Sequence, residues 1–137
     1  AVAGYPLTVY GKGGQTRGYL NIKDTLNCIR LSLENPADQG ELRIFNQFTE
    51  TFTINELADK VQKAGKVLDI DVQIKNIENP RIELEEHYYN PKQTGLLDLG
   101  LEPNYLTESE LVRMMEHVIK HLDSIEKHKI FRGTKWA

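Results

Sequence analysis

Cysteine occurs only once in this chain, at position 28, so no internal disulfide can brace it. Burial and hydrogen bonding must hold the fold, and Cys28, set in an apolar run of helical spacing, reads as a small core residue. An excess of basic charge is also missing: 17 Lys and Arg stand against 20 Asp and Glu, a formal charge of -3. That balance gives no general pull toward nucleic acid, although a single arginine can still grip a phosphate. No apolar run approaches the roughly 20 residues of a membrane span. The opening AVAGYPL has neither the basic start nor the apolar core of a signal peptide. These absences describe a soluble intracellular protein with no nucleic-acid or membrane partner.

Several catalytic signatures are absent too. No lysine followed by Ser or Thr closes a Walker loop, and no G-x-G-x-x-G sits in a strand-turn-helix setting. There is no Ser, His and acid set in a nucleophile context. Tyr88 and Lys92 have the Tyr-x-x-x-Lys spacing, but Pro91 falls between them, outside any convincing helix. The chain looks unable to run chemistry alone.

What is present fits one α/β domain: 137 residues, 39% hydrophobic and 27% charged. Leu7 to Tyr10 reads as a strand, and the glycines at 11, 13 and 14 as a loop. Asp24 can cap a following helix in which Leu26, Ile29 and Leu33 recur at helical spacing before Asn35-Pro36. Glu41 to Phe48 reads as a strand with both faces covered, because Leu42, Ile44 and Phe48 share one face and Phe45 occupies the other. Thr53 and Glu56 form a capping box for a helix through Leu57, Val61 and Ala64, ending near Gly65. Ile70, Val72 and Ile74 alternate with polar residues as a further strand. A short helix from about Lys92 stops at Gly100, and Thr107 with Glu110 opens a last helix carrying Leu111, Met115, Val118, Leu122 and Ile125.

The loop GKGGQTRG, residues 11 to 18, admits two readings. It is a plain hairpin turn, or a loop whose backbone donors and Arg17 fork receive a phosphate. Arg81, in the carboxylate-rich stretch PRIELEEHYYNP, likewise either belongs to a solvated acidic turn with a tyrosine packed inward or holds a pyrophosphate, with Glu83 orienting it or meeting sugar hydroxyls. His117, His121 and His128 have a spacing compatible with zinc, but no cysteine or HExxH pattern accompanies them, and a solvated helix face is the simpler reading. No metal is expected.

Three stretches carry a resemblance: VYGKGGQTRGYLNIKDT, LRIFNQFTETFTINELA and NPRIELEEHYYNPK. Together they resemble the C-terminal part of the sulfoquinovose-synthase branch of the extended short-chain dehydrogenases/reductases, the NAD-dependent epimerase/dehydratase family. The likeness runs from Gly4 to about Leu106 and more loosely through the last helix. It implies an α/β C-terminal substrate-binding portion that lacks the N-terminal Rossmann half. Residues 1–50 would complete or pack on the parent Rossmann sheet and 51–130 would form a small substrate-binding portion. The resemblance further implies that Gln15, Thr16 and Arg17 lie on the UDP-sugar side, with Arg17 near the diphosphate or sugar, and that Arg81 is a second diphosphate contact. Glu83 and His87 are then candidate substrate contacts, although the place where the family often has an acidic ribose ligand is Leu84 here. NAD would be bound mainly by the missing domain. UDP-glucose and sulfite would be the substrates, the parent would be homodimeric, and the compartment would be prokaryotic cytoplasm or plastid stroma. Two rivals stay open: a nucleotide-sugar epimerase or dehydratase segment of other specificity, and a noncatalytic module binding a nucleotide or a protein.

Overall fold

The computed structural model describes residues 1–78 and 94–130. The order is β1 (Leu7–Tyr10), β2 (Thr16–Tyr19), α1 (Ile22–Glu34), β3 (Glu50–Thr53), α2 (Ile54–Val67), β4 (Ile74–Ile77), α3 (Thr94–Asp98) and α4 (Glu108–Lys120). Two short 3-10 turns, Leu122–Ser124 and Lys127–Lys129, follow α4. The chain is therefore α/β with mixed strand directions, as its sequence indicates.

Successive strands do not pair with each other. β1 runs parallel to β4, with Leu7 opposite Ile74 and Tyr10 opposite Ile77, while β2 runs antiparallel to β3, with Arg17 opposite Phe52. The glycine loop consequently joins two different two-stranded sheets and is not a hairpin turn. A parallel pair needs a long crossover, and everything from β2 through α2 supplies it.

Two apolar clusters hold these elements. In one, Ala64 and Val72 meet Leu111 and Met115, so α2 lies against α4, with Leu7, Val61 and Ile70 packed at the margin. Gly65 is required there, because a Cβ on it would stand 2.4 Å from a Val72 methyl and 3.0 Å from the Ile70 carbonyl. In the other cluster Cys28 and Leu31 of α1 meet Leu96 and Leu101, with Leu20 and Phe45 against them.

Local signals placed several elements well. The Thr53 hydroxyl accepts from the Glu56 amide while the Glu56 carboxylate accepts from the Thr53 amide, the reciprocal box that the sequence announces. At α4 the Thr107 side chain caps Glu110, but the Glu110 carboxylate turns to Arg113 and Asn21 instead of back to Thr107. α3 ends as expected at Gly100, whose φ of +92° suits glycine.

Four expectations need correction. The cap of α1 is Asn21, whose side chain accepts from the Lys23 amide, and Asp24 lies inside the first turn. The inward face of α1 is Asp24, Cys28 and Leu31, whereas Leu26, Ile29 and Leu33 are 65%, 49% and 77% exposed. Residues 41–48 form no strand, and Leu42 and Ile44 are 84% and 80% exposed. Strand propensity alone forms no ladder, since a ladder requires a neighbouring backbone, and no described strand pairs with this stretch. Finally, the last strand begins at Ile74, after Val72 has already been spent on the α2–α4 cluster.

Candidate functional site

The ribbon of β2 and β3 carries the sequence-predicted residues. Gln15 ends the glycine loop half-buried, and Thr16 and Arg17 open β2. Opposed residues of an antiparallel pair share a face, so Arg17 and Tyr19 lie on the same side as Phe52 and Glu50. Tyr19 and Phe52 touch, their ring centroids 5.7 Å apart, and the Lys60 ammonium sits 4.8 Å over the Phe52 ring. The exposed Arg17 guanidinium donates to the Thr16 carbonyl at 3.0 Å. This is a cationic, aromatic face with Arg17 at its outer end.

The glycine loop that leads into the ribbon is tightly tied at its carbonyls. The Asn76 amide donates to the Gly11 carbonyl at 2.8 Å, the Asn55 side-chain amide to the Lys12 carbonyl at 2.8 Å, and the Asn55 backbone N–H to the Gly13 carbonyl at 3.1 Å. Gly13 has φ +71°, and a Cβ there would lie 2.1 Å from Asn55 Oδ1 and 2.6 Å from a Val9 methyl. The close approach of α2 to the loop therefore demands glycine at 13.

A strap formed by residues 101–107 closes the far end of the ribbon. Asp24, wholly buried, accepts from the Asn104 backbone N–H at 2.8 Å and from its side-chain amide at 2.6 Å. The Glu50 carboxylate accepts from the Leu106 N–H at 2.6 Å, and Lys60 donates to the Leu106 carbonyl at 3.2 Å. The strap thus engages both Glu50 and Lys60 of the ribbon and its neighbouring helix, while Arg17 lies exposed on the same ribbon face. Burial first, and the Asp24 charge second, push the Cys28 thiol up from its ordinary range. Cys28 is thus a packing residue held as a neutral thiol.

The sequence pointed to Gln15, Thr16 and Arg17 but not to Asp24 as a clamp, nor to Asn55 and Asn76 as loop ties. Asn55 lies 43 positions and Asn76 65 positions from its loop partner, and no local pattern announces such bonds. Arg81, Glu83 and His87 lie outside the described residues. Among the described residues no group of three or more His, Cys, Asp or Glu side chains is placed to hold a metal. A shallow cavity of about 550 Å³ lies elsewhere, between Val2 to Gly4 and the turns at Leu122 to Lys127, and none of the ribbon residues lines it.

Comparison with solved structures gives the class. The fold resembles that of UDP-N-acetylglucosamine 4-epimerase from Methanobrevibacter ruminantium M1, solved in complex with UDP-N-acetylmuramic acid, with TM-score 0.65 and 21% identity over 86% of this chain and 36% of that one. The chain thus shares the α/β fold of about a third of that protein. The sequence is more particular: it is 48% identical over 136 residues to the chloroplastic UDP-sulfoquinovose synthase of Spinacia oleracea and 44% identical over 138 residues to the UDP-sulfoquinovose synthase of Sulfolobus acidocaldarius. Both matches cover 99% of this chain, but only 28% and 35% of the relatives, so the chain spans about a third of their length. No family model matches.

Proposed function

We propose that this chain is the C-terminal, UDP-sugar-holding part of a NAD-dependent UDP-sulfoquinovose synthase and is not catalytic alone. In the full reaction UDP-glucose and sulfite give UDP-sulfoquinovose, the sulfonate replacing the C6 hydroxyl with loss of water. The observation that carries the reading is the placement of Arg17, exposed on a cationic ribbon face, within a sequence that matches two such synthases along 99% of its length. Gln15, Thr16 and Arg17 would hold the diphosphate and sugar, and Arg81, Glu83 and His87 would complete the grip. An arginine fork matches two phosphate oxygens at once and remains charged at any physiological pH.

The described residues do not fit NAD. A dinucleotide turn runs from a strand into a helix N-terminus, whereas the glycine loop here leads from β1 into another strand. NAD would therefore be held by the remainder of the longer protein, and this chain contributes anchoring and alignment. Misplacing a reacting group by an ångström can cost about a hundredfold in rate, which is the demand that such anchoring meets.

In this reading residues 1–50 complete or pack on the nucleotide-binding sheet, and 51–130 form the smaller substrate portion. The apolar stripe of Ile22, Leu26, Ile29 and Leu33 on the outer face of α1, together with exposed Leu42 and Ile44, supports the assignment, because a stripe of this size is normally covered. A homodimeric parent, in the cytoplasm of a prokaryote or the plastid stroma, accords with the same assignment. No described helix is long and apolar enough to cross a membrane.

The test is a graft in which this chain replaces the matching stretch of the spinach enzyme, supplied with UDP-glucose, sulfite and NAD. UDP-sulfoquinovose formation that is lost on Arg17→Ala is the expected result. A folded graft that forms only an epimerised UDP-sugar would instead favour an epimerase segment. A folded graft that binds but converts no nucleotide sugar would favour a noncatalytic module.

A further inference from the structure

We infer that the loop from Gly11 to Gln15 is a backbone anion site for the diphosphate of a nucleotide, shaped by Asn55 and Asn76 as positioning residues. The inference rests on the substrate reading above and deepens it by adding a second set of donors beside Arg17.

The geometry follows from the peptide bond. In a trans peptide the C=O of one residue and the N–H of the next point to opposite sides of the same plane. Asn76 and Asn55 draw the carbonyls of Gly11, Lys12 and Gly13 toward β4 and α2. The N–H groups of Lys12, Gly13 and Gly14 are thereby turned away from those elements. None of them has a protein acceptor among the described residues, and Gly11 alone is anchored, its N–H donating to the Ile77 carbonyl at 2.8 Å. Positive φ angles at Gly11 (+60°) and Gly13 (+71°) are left-handed steps of the kind with which a loop turns successive amides toward one anion.

Chemistry then selects the ligand. Consecutive backbone donors favour a compact anion with several oxygens, and a fork two residues beyond Gln15 favours one with a second phosphate within reach. Loop donors and Arg17 together match a diphosphate better than a monophosphate. Among the described residues no carboxylate hydrogen-bonds to the loop.

Asn55 and Asn76 would touch no ligand. They act by holding the carbonyls back, so losing either amide lets a peptide plane rotate and turns a repelling oxygen toward the phosphate. Each substitution should weaken UDP binding about 3- to 10-fold, the scale of one hydrogen bond.

The test is a titration of the isotope-labelled 137-residue chain with UDP, UMP and uridine, followed by amide resonances. UDP is expected to shift the amides of Lys12, Gly13 and Gly14 strongly, UMP less, and uridine little. Asn76→Ala and Asn76→Asp should both weaken UDP binding while leaving uridine binding unchanged, since both remove the donor and the aspartate keeps the shape. Unshifted core amides at Ala64, Val72 and Met115 would certify the fold of each variant, and the wild-type shifts decide the matter even where a variant fails to fold. If Arg17→Ala weakens UDP binding but the Lys12 to Gly14 amides do not respond to UDP, the loop inference is wrong and the substrate reading survives. If the folded chain binds no UDP, or binds it without regard to Arg17, both fall.

Discussion

Replacing Gly13 by alanine should be among the most damaging single-methyl additions in this chain. A non-glycine residue in the left-handed region costs about 1–2 kcal/mol. The new Cβ would also lie 2.1 Å from Asn55 Oδ1, so the Asn55 amide must swing away and lose its bond to the Lys12 carbonyl, worth about 1 kcal/mol. Val9, 1% exposed, stands 2.6 Å away on the other side and cannot move freely, which adds about 1 kcal/mol of overpacking. The sum is about 3–4 kcal/mol, a large part of the roughly 5–15 kcal/mol that holds a domain together. For a chain of this size that is a fall in Tm of about 10 °C. Gly14→Ala is the internal control: nothing lies within 4 Å of its Cβ and its φ is not in the left-handed range, so alanine should be neutral or slightly stabilising. Thermal and urea unfolding of both variants is the assay. In an Asn55→Ala background, Gly13→Ala should cost less, because the amide it collides with is gone. Equal effects of Gly13→Ala and Gly14→Ala would refute the packing of the loop against α2.

Asp24→Ala should cost about 2–3 kcal/mol in urea unfolding, because it removes the two charge-assisted hydrogen bonds by which the buried Asp24 holds Asn104, while Asp24→Asn should cost less. Glu110 is drawn down to about 2, first by its bond to Arg113 and also by Asn21, from an ordinary 4.5. Its contribution is therefore fully present above pH 4.5 and disappears as pH falls from 4.5 toward 2. The effect should stay at or below about 1 kcal/mol for so exposed an ion pair, and Arg113→Ala should flatten the acid limb of the stability profile. On the outer face of α1, Leu26→Glu with Leu33→Glu should change unfolding by no more than about 0.5 kcal/mol per site while reducing self-association in sedimentation. A large loss of stability would show that this face is buried within the chain.

The sequence disclosed what is written in adjacent residues. The Thr53 and Glu56 pair, the stop at Gly100 and the strand Leu7 to Tyr10 are all decided within a few positions. It disclosed the existence of α1 but not its orientation, because the stripe Leu26, Ile29, Leu33 is as periodic as the true inner face of Asp24, Cys28 and Leu31. Hydrophobic periodicity identifies a face that wants cover, not the element that covers it. The stretch from Leu42 to Ile44 teaches the same lesson for strands, having the composition of a buried strand and no described neighbour to pair with. Asp24 has the chemistry of a cap, yet its partner Asn104 lies 80 residues away, and only the fold brings them together. For the candidate site, family likeness pointed to Gln15, Thr16 and Arg17, and their setting on the ribbon was not legible in the sequence.

The most direct measurement is calorimetric titration of the 137-residue chain with UDP-glucose, in parallel with its Arg17→Ala variant. Saturable binding by the wild-type chain, weakened at least tenfold in the variant as expected for a charged contact to phosphate, would establish Arg17 as part of a substrate clamp. Equal binding by the two chains, or none by a folded wild-type chain, would contradict it.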